Sequence, residues 1–183
     1  MNTDFVTPWG ENDKWKWVNS PDYHYIFRKS DGLFLRWGAT EADDPQWSSI
    51  GPELLDLELS KNGCPGGGTG PCRYCYKSNT TAEPVNMSLD TFKTIIRKIG
   101  PQLCQVALGL TGIQTNPDLI PIMQHCRNVG VIPNYTLSGV DLTDEIAEAT
   151  GRLAGAVAVS YHGDWELCRS TVERMVKAGV KQV

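Results

Sequence analysis

The sequence predicts an α/β protein: a curved, open sheet of parallel strands with helices on its outer side, about four strand–helix units long, preceded by a β-hairpin extension. Two observations predict it. From residue 53 onward, short strand-like apolar runs alternate with helical patterns at the spacing of βαβ units. In each of those strands one face is apolar and the other is small or polar, whereas a parallel sheet covered on both sides is apolar on both.

The elements follow in order. Strands are expected at 54–60, 103–109, 131–137 and 154–160, and helices at 89–99, 117–129, 142–150 and 165–178. Ser88 caps the first helix and Gly100-Pro101 stops it. The second opens at Asn116-Pro117, with proline in the first turn, and ends before Gly130. The fourth starts near Asp164 and ends before Gly179. Gly179–Val183 reads as the start of a fifth strand. Four strands and a stub do not close a barrel, so the chain is expected to be a fragment, or to need another chain to complete it.

Alternation assigns the faces. Leu55, Leu57 and Leu59 oppose Asp56, Glu58 and Ser60; Val106, Leu108 and Leu110 oppose Ala107, Gly109 and Thr111. Tyr135 and Leu137 oppose Asn134, Thr136 and Ser138, and Val157, Val159 and Tyr161 oppose Ala158, Ser160 and His162. The apolar side suits helix packing, which leaves a roomy polar concave side. Glu58, expected there, reads as a structural anchor that must find a partner.

Residues 1–50 form a separate, Trp-rich extension ahead of the 51–183 unit. They hold five of the six tryptophans: Trp9, Trp15, Trp17, Trp37 and Trp47. Tyr23–Lys29 and Leu33–Trp37 read as a hairpin turning at Asp31-Gly32. The tryptophans are expected to pack this hairpin onto the main unit. Covering the site or docking a partner are the other roles open to it.

Composition narrows the function classes. A net charge of −4 gives no case for binding a nucleic-acid backbone in bulk. The N-terminus has no signal-peptide pattern, and no apolar run approaches the roughly 20 residues of a membrane span. A reducing cytoplasm is expected, where the six cysteines serve as ligands or buried thiols. Cys104, Cys126 and Cys168 lack paired spacing and read as buried thiols.

The other three carry chemistry. Leu55–Ser60 runs as a strand into the glycine-rich loop Cys64-Pro-Gly-Gly-Gly-Thr-Gly-Pro-Cys72-Arg-Tyr-Cys75. Four thiolates would close a zinc or iron–sulfur site, and three leave one metal position open.

This strand and its three cysteines, with Tyr74 just before the last, resemble the radical S-adenosylmethionine (SAM) superfamily. The resemblance runs from about residue 53 to the end of the chain. It implies an incomplete partial (β/α)6 barrel over 51–183, in which Cys64, Cys72 and Cys75 bind three irons of a [4Fe–4S] cluster. The amino and carboxylate groups of SAM would chelate the fourth. Reduction of the sulfonium would then give a 5′-deoxyadenosyl radical that takes hydrogen from a substrate, with flavodoxin or ferredoxin as electron donor. Seven residues, Pro65 to Pro71, lie between the first two cysteines where the family has three, an insertion the glycines can loop out.

A second matching segment is Ala107–Asp118. Where many family members carry Gly-Gly-Glu-Pro and use the acid to hold the SAM amino group, the acid's position is Gly112. Thr111 or Gln114 is expected to substitute through a neutral hydrogen bond. The implied SAM contacts are Tyr74, Gly109, Thr111, Gln114, Ser138 and Ser160. His162, at the mouth of the fourth strand with Tyr161 and Asp164, is the candidate catalytic residue, to touch substrate or relay a proton. Two other readings stay open: an inactive or incomplete relative that needs a partner chain, and a zinc-binding interaction module using His125 or Cys126 as a fourth ligand. Substrate identity does not follow from the sequence.

Overall fold

The computed structural model describes residues 9–44, 48, 50–66 and 70–183; Trp47 and the middle of the glycine-rich insertion, 67–69, lie outside them. The first region is more than a hairpin. Strands β1 (Trp9–Glu11), β2 (Trp15–Asn19), β3 (His24–Arg28) and β4 (Phe34–Trp37) form an antiparallel sheet in sequence order. The expected turn at Asp31-Gly32 joins β3 to β4, with Gly32 at φ 77°. The first two strands escaped the reading because each is short and crowded with tryptophan.

The tryptophans do not do most of the packing expected of them. Val18, Tyr23, Tyr25 and Phe27 are the buried apolar side chains of this region, meeting Cys104 and Ile132 of the main unit. Trp17 pairs with Ile26 and Ile26 with Leu35 on the opposite, outer face, while Arg28 covers Trp15 and His24 stacks on Trp37. Trp9 alone of the described tryptophans lies against the inner cluster.

Next come β5 (Leu54–Glu58) and two short strands, β6 (Ser60–Lys61) and β7 (Val85–Asn86), which pair with each other. The chain then alternates: α1 (Leu89–Ile99), β8 (Gln105–Gly109), α2 (Leu119–Asn128), β9 (Ile132–Leu137), α3 (Asp144–Leu153), β10 (Val157–Val159) and α4 (Trp165–Lys177). β5, β8, β9 and β10 form one parallel sheet in that order. A single bridge from Ala156 to Gln182 sets the chain's last residues beside β10, as the fifth-strand reading expected.

Caps set the helix boundaries. Ser88 accepts from Thr91 N–H and Asp164 from Leu167 N–H, both where expected. The third helix starts two residues later than expected because Thr143 caps it, accepting from Ile146 N–H. The second starts at Leu119, with Pro117 ahead of it: Asn116 is buried, donating from Nδ2 to the carbonyls of Leu59 and Met87, both at 3.0 Å. The fourth strand shortens to Val157–Val159, its expected first residue, Ala154, being the C-cap of α3 with its N–H donating to the Thr150 carbonyl.

The two faces of the parallel sheet separate as alternation requires. One row runs Leu57–Leu108–Tyr135–Val157 across all four strands and joins the core under the helices. Fully burying Val106 and Leu108 contributes about 1.5–3 kcal/mol each. The opposite rows are Asp56–Ala107–Asn134 and Thr136–Ala158.

The antiparallel sheet fixes one end of this unit. Lys16 Nζ donates to the carbonyls of Leu103 and Pro101 at 2.7 and 3.2 Å, and Tyr25 donates to the Gln102 carbonyl at 2.6 Å. Tyr23 donates to Glu53 at 2.6 Å. These partners precede β5 and β8, so the extension seats against the strands' N-terminal ends. Among the described residues, no helix is long and apolar enough to cross a membrane.

Candidate functional site

The cysteine loop opens where β5 ends and closes through β6 and β7. Inside that bracket its two limbs stay paired: Gly63 N–H donates to the Ala82 carbonyl at 2.9 Å and Cys64 N–H to Thr80 at 3.0 Å. Asn62, at φ 62°, and Asn79 tie the same limbs, Asn62 N–H donating to Asn79 Oδ1 at 3.0 Å. Cys72 and Cys75 sit on consecutive tight turns, with Cys75 N–H donating to the Cys72 carbonyl and Ser78 N–H to the Cys75 carbonyl. The spacing of the close pair thus comes from turn geometry, while Cys64 comes from the paired limb.

All three cysteines border one cavity of about 380 Å³ at the C-terminal ends of the strands. Its sheet side is the polar face: Asp56, Ala107, Gly109, Thr136 and Ser138, with Ser160 and His162 beyond β10. Of the expected site residues, Gly109, Thr111, Ser138, Ser160 and His162 line it together with the three cysteines. The described residues of the N-terminal extension lie at the other end of the strands and take no part in it.

His162 is held at the cysteines. Its Nδ1 lies 3.4 Å from Cys72 Sγ and 3.3 Å from the Tyr74 hydroxyl. Tyr74 is exposed and does not line the cavity itself, and its phenol is raised above the ordinary range by its hydrogen bonding to Cys72 and the charge there. Cys64 Sγ lies 3.7 Å from the Thr111 carbonyl and accepts the Gly66 N–H at 3.4 Å. Gln114 turns away from the cavity to the next loop: its N–H donates to Asp141 Oδ2 at 3.0 Å and its side-chain amide to the Asp141 carbonyl at 2.6 Å.

Glu58 has a partner, Lys77 at 3.5 Å, but it is half exposed, not the buried anchor expected. Lys77 is a residue that sequence reasoning missed. It lines the cavity with its ammonium against Gly109, where a Cβ would come within 2.7 Å of Nζ. The signal was available: a lysine two residues past the last cysteine and a glycine at the end of β8.

The remaining cysteines lie elsewhere. Cys104 and Cys126 are buried, and burial pushes both thiols up to about 12. Cys168 is half-buried on α4. His125, on α2, packs edge-on against Phe92 in the helical layer. Neither proposed fourth zinc ligand therefore lines the cysteine cavity. Among the described residues, no group of three His, Cys, Asp or Glu side chains gathers around a single metal position.

Set against protein-family models and curated proteins, the chain matches none.

Proposed function

We propose that the chain is a radical SAM enzyme, with the parallel sheet as the first part of a partial (β/α)6 barrel. The observation that carries the reading is the meeting of two separate features in one cavity: three thiols on a loop that offers no fourth, and the polar face of four parallel strands.

The residues present suit such a group. Thiolates are the usual ligands of iron–sulfur clusters, and Cys64, Cys72 and Cys75 would each hold one iron of a [4Fe–4S] cluster. Thr111 lines this cavity, and its buried Oγ1 has no hydrogen-bond partner among the described residues. Bound there, the cluster and SAM supply one-electron cleavage of the sulfonium to methionine and a 5′-deoxyadenosyl radical.

The chain's own residues bind, tune and orient. Gly66 N–H donates to the Cys64 sulfur, and His162 can donate to that of Cys72, which tunes the cluster's potential. Gly109, Ser138 and Ser160 offer a close backbone and hydroxyls along the cavity for SAM. His162, Asp56 and Lys77 bring titratable groups to the same cavity, with His162 best placed to touch substrate or pass a proton. Such an enzyme works in a reducing cytoplasm and draws electrons from a flavodoxin or ferredoxin.

The test is anaerobic iron and sulfide reconstitution, followed by electron paramagnetic resonance with and without SAM. The expected result is a reduced-cluster signal that changes when SAM is added, and 5′-deoxyadenosine formed under reduction. A protein that retains zinc and forms no cluster is instead an interaction module.

A further inference from the structure

The cysteine loop is basic in an acidic protein. The chain carries 21 acids against 17 lysines and arginines, yet residues 59–82 hold Lys61, Arg73 and Lys77 and no acid. Lys77 is answered by Glu58 at 3.5 Å. Lys61 and Arg73 are exposed and make no ion pair among the described residues. Against a net charge of −4, the loop that carries the three cysteines is therefore locally positive.

Cys72 and Cys75 line the cavity, whereas Arg73 and Tyr74, between them, are exposed and do not. Tyr74 is 75% exposed, and its hydroxyl is tethered 3.3 Å from His162 Nδ1. A tyrosine held in place with its ring bare, beside an unpaired arginine, has the composition of the centre of a protein–protein interface. A molecule that touches these two side chains stands outside the cavity, yet beside two cysteines. A substrate that gives up hydrogen must enter the cavity, while a donor of electrons need only come close to the cluster. Three cations on a chain of net charge −4 are too few to hold a nucleic-acid backbone, and they suit the acidic rim of a protein.

We propose that the turn from Cys72 to Cys75 is the docking surface for an acidic electron-donor protein, with Arg73 and Tyr74 at its centre and Lys61 adding to the attraction. This rests on the radical SAM reading above, in which Cys72 and Cys75 hold irons of the cluster. The donor's flavin hydroquinone gives one electron to the oxidised [4Fe–4S]2+ cluster and becomes the semiquinone. The cluster becomes [4Fe–4S]+, and no proton crosses. SAM and substrate use the cavity side of the same cysteines, so docking competes with neither.

The test follows the rate of cluster reduction in reconstituted protein by flavodoxin hydroquinone and by photoreduced deazaflavin, a small reductant that needs no docking surface. Arg73→Glu is expected to slow reduction by flavodoxin about tenfold at low ionic strength, with the difference shrinking as salt is added. Iron content and reduction by deazaflavin are expected to match the wild type. Lys14→Glu, the same charge change in the N-terminal sheet at the other end of the strands, is expected to have no effect. Arg73→Ala is the second variant should a glutamate beside Cys72 disturb the cluster, and it is expected to slow flavodoxin about threefold. If flavodoxin reduces both Arg73 variants as fast as the wild type, or Lys14→Glu slows it as much, the docking assignment is overturned and the functional reading stands. A labelled single-stranded RNA that binds the wild type and is released by Arg73→Glu, with flavodoxin unaffected, overturns it in favour of nucleic acid. A wild-type protein that forms no cluster overturns the radical SAM reading, and the assignment with it.

Discussion

His162 and Cys72, separated by 90 positions in the chain, meet with Nδ1 3.4 Å from Sγ. A thiolate sulfur can only accept, so in the metal-bound form the imidazole donates. A donor to a ligand sulfur stabilises the more negative, reduced cluster. His162→Ala is therefore expected to lower the cluster's reduction potential by an amount on the order of tens of millivolts, with iron content unchanged. A redox titration followed by electron paramagnetic resonance measures it, and an unmoved potential would remove His162 from the cluster's surroundings.

The six cysteines divide by position. Cys72→Ala is expected to abolish cluster assembly, because Cys72 borders the cavity. Cys104→Ala is expected to leave it intact, because burial pushes that thiol up to about 12 and it lies against the N-terminal sheet. Iron and sulfide analysis after reconstitution separates the two, and equal loss in both would sink the ligand assignment.

Tyr135 sets an alkaline limit. Thr150 spends its hydroxyl proton on the Ile146 carbonyl, so Tyr135 donates to Thr150 at 2.6 Å. Burial pushes the Tyr135 phenol from 10.0 up to about 12. The folded state thus holds a proton that the unfolded chain releases, and stability falls as pH rises from 10.0 towards 12. Tyr135→Phe should cost about 1 kcal/mol at neutral pH and show a shallower alkaline loss. Tyr23 and Tyr25, raised in the same direction by burial, keep the remaining slope. Urea melts across this pH range give the comparison.

Asn116 joins three segments. Its amide donates to Leu59 and Met87, and its carbonyl oxygen accepts the Asp118 N–H at 2.9 Å. Asn116→Ala removes the partner of the Met87 carbonyl and of the Asp118 N–H, while the Leu59 carbonyl keeps the Met87 N–H, and is expected to cost about 1–3 kcal/mol. A chemical-denaturation midpoint equal to that of the wild type would show that water replaces the amide.

Periodicity made the main unit legible. Alternation in the four parallel strands placed Leu57, Leu108, Tyr135 and Val157 on one face before any packing was known, and Ser88 and Asp164 announced their helices. What stayed hidden depends on contacts far apart in sequence. β1 and β2 are too short to declare themselves, and the tryptophans of β2 mark the outer face of the sheet, not the inner one. Asn116 looked like a helix opener beside Pro117, yet its amide was needed by carbonyls 57 and 29 positions away. In the site, the cysteines and the polar face were readable, but Gln114's turn towards Asp141 came from a loop that no motif singled out.

The seating of the N-terminal sheet also fixes an order of events in the making of the chain. Tyr25 and Lys16 bond to carbonyls 77 and 87 positions later, and Phe27 is buried against Cys104 and Ile132. At about 5–20 residues per second, a ribosome takes several seconds to supply those partners. Through that interval the inner aromatic face of a finished four-stranded sheet has nothing to lie on. The part made first is covered last.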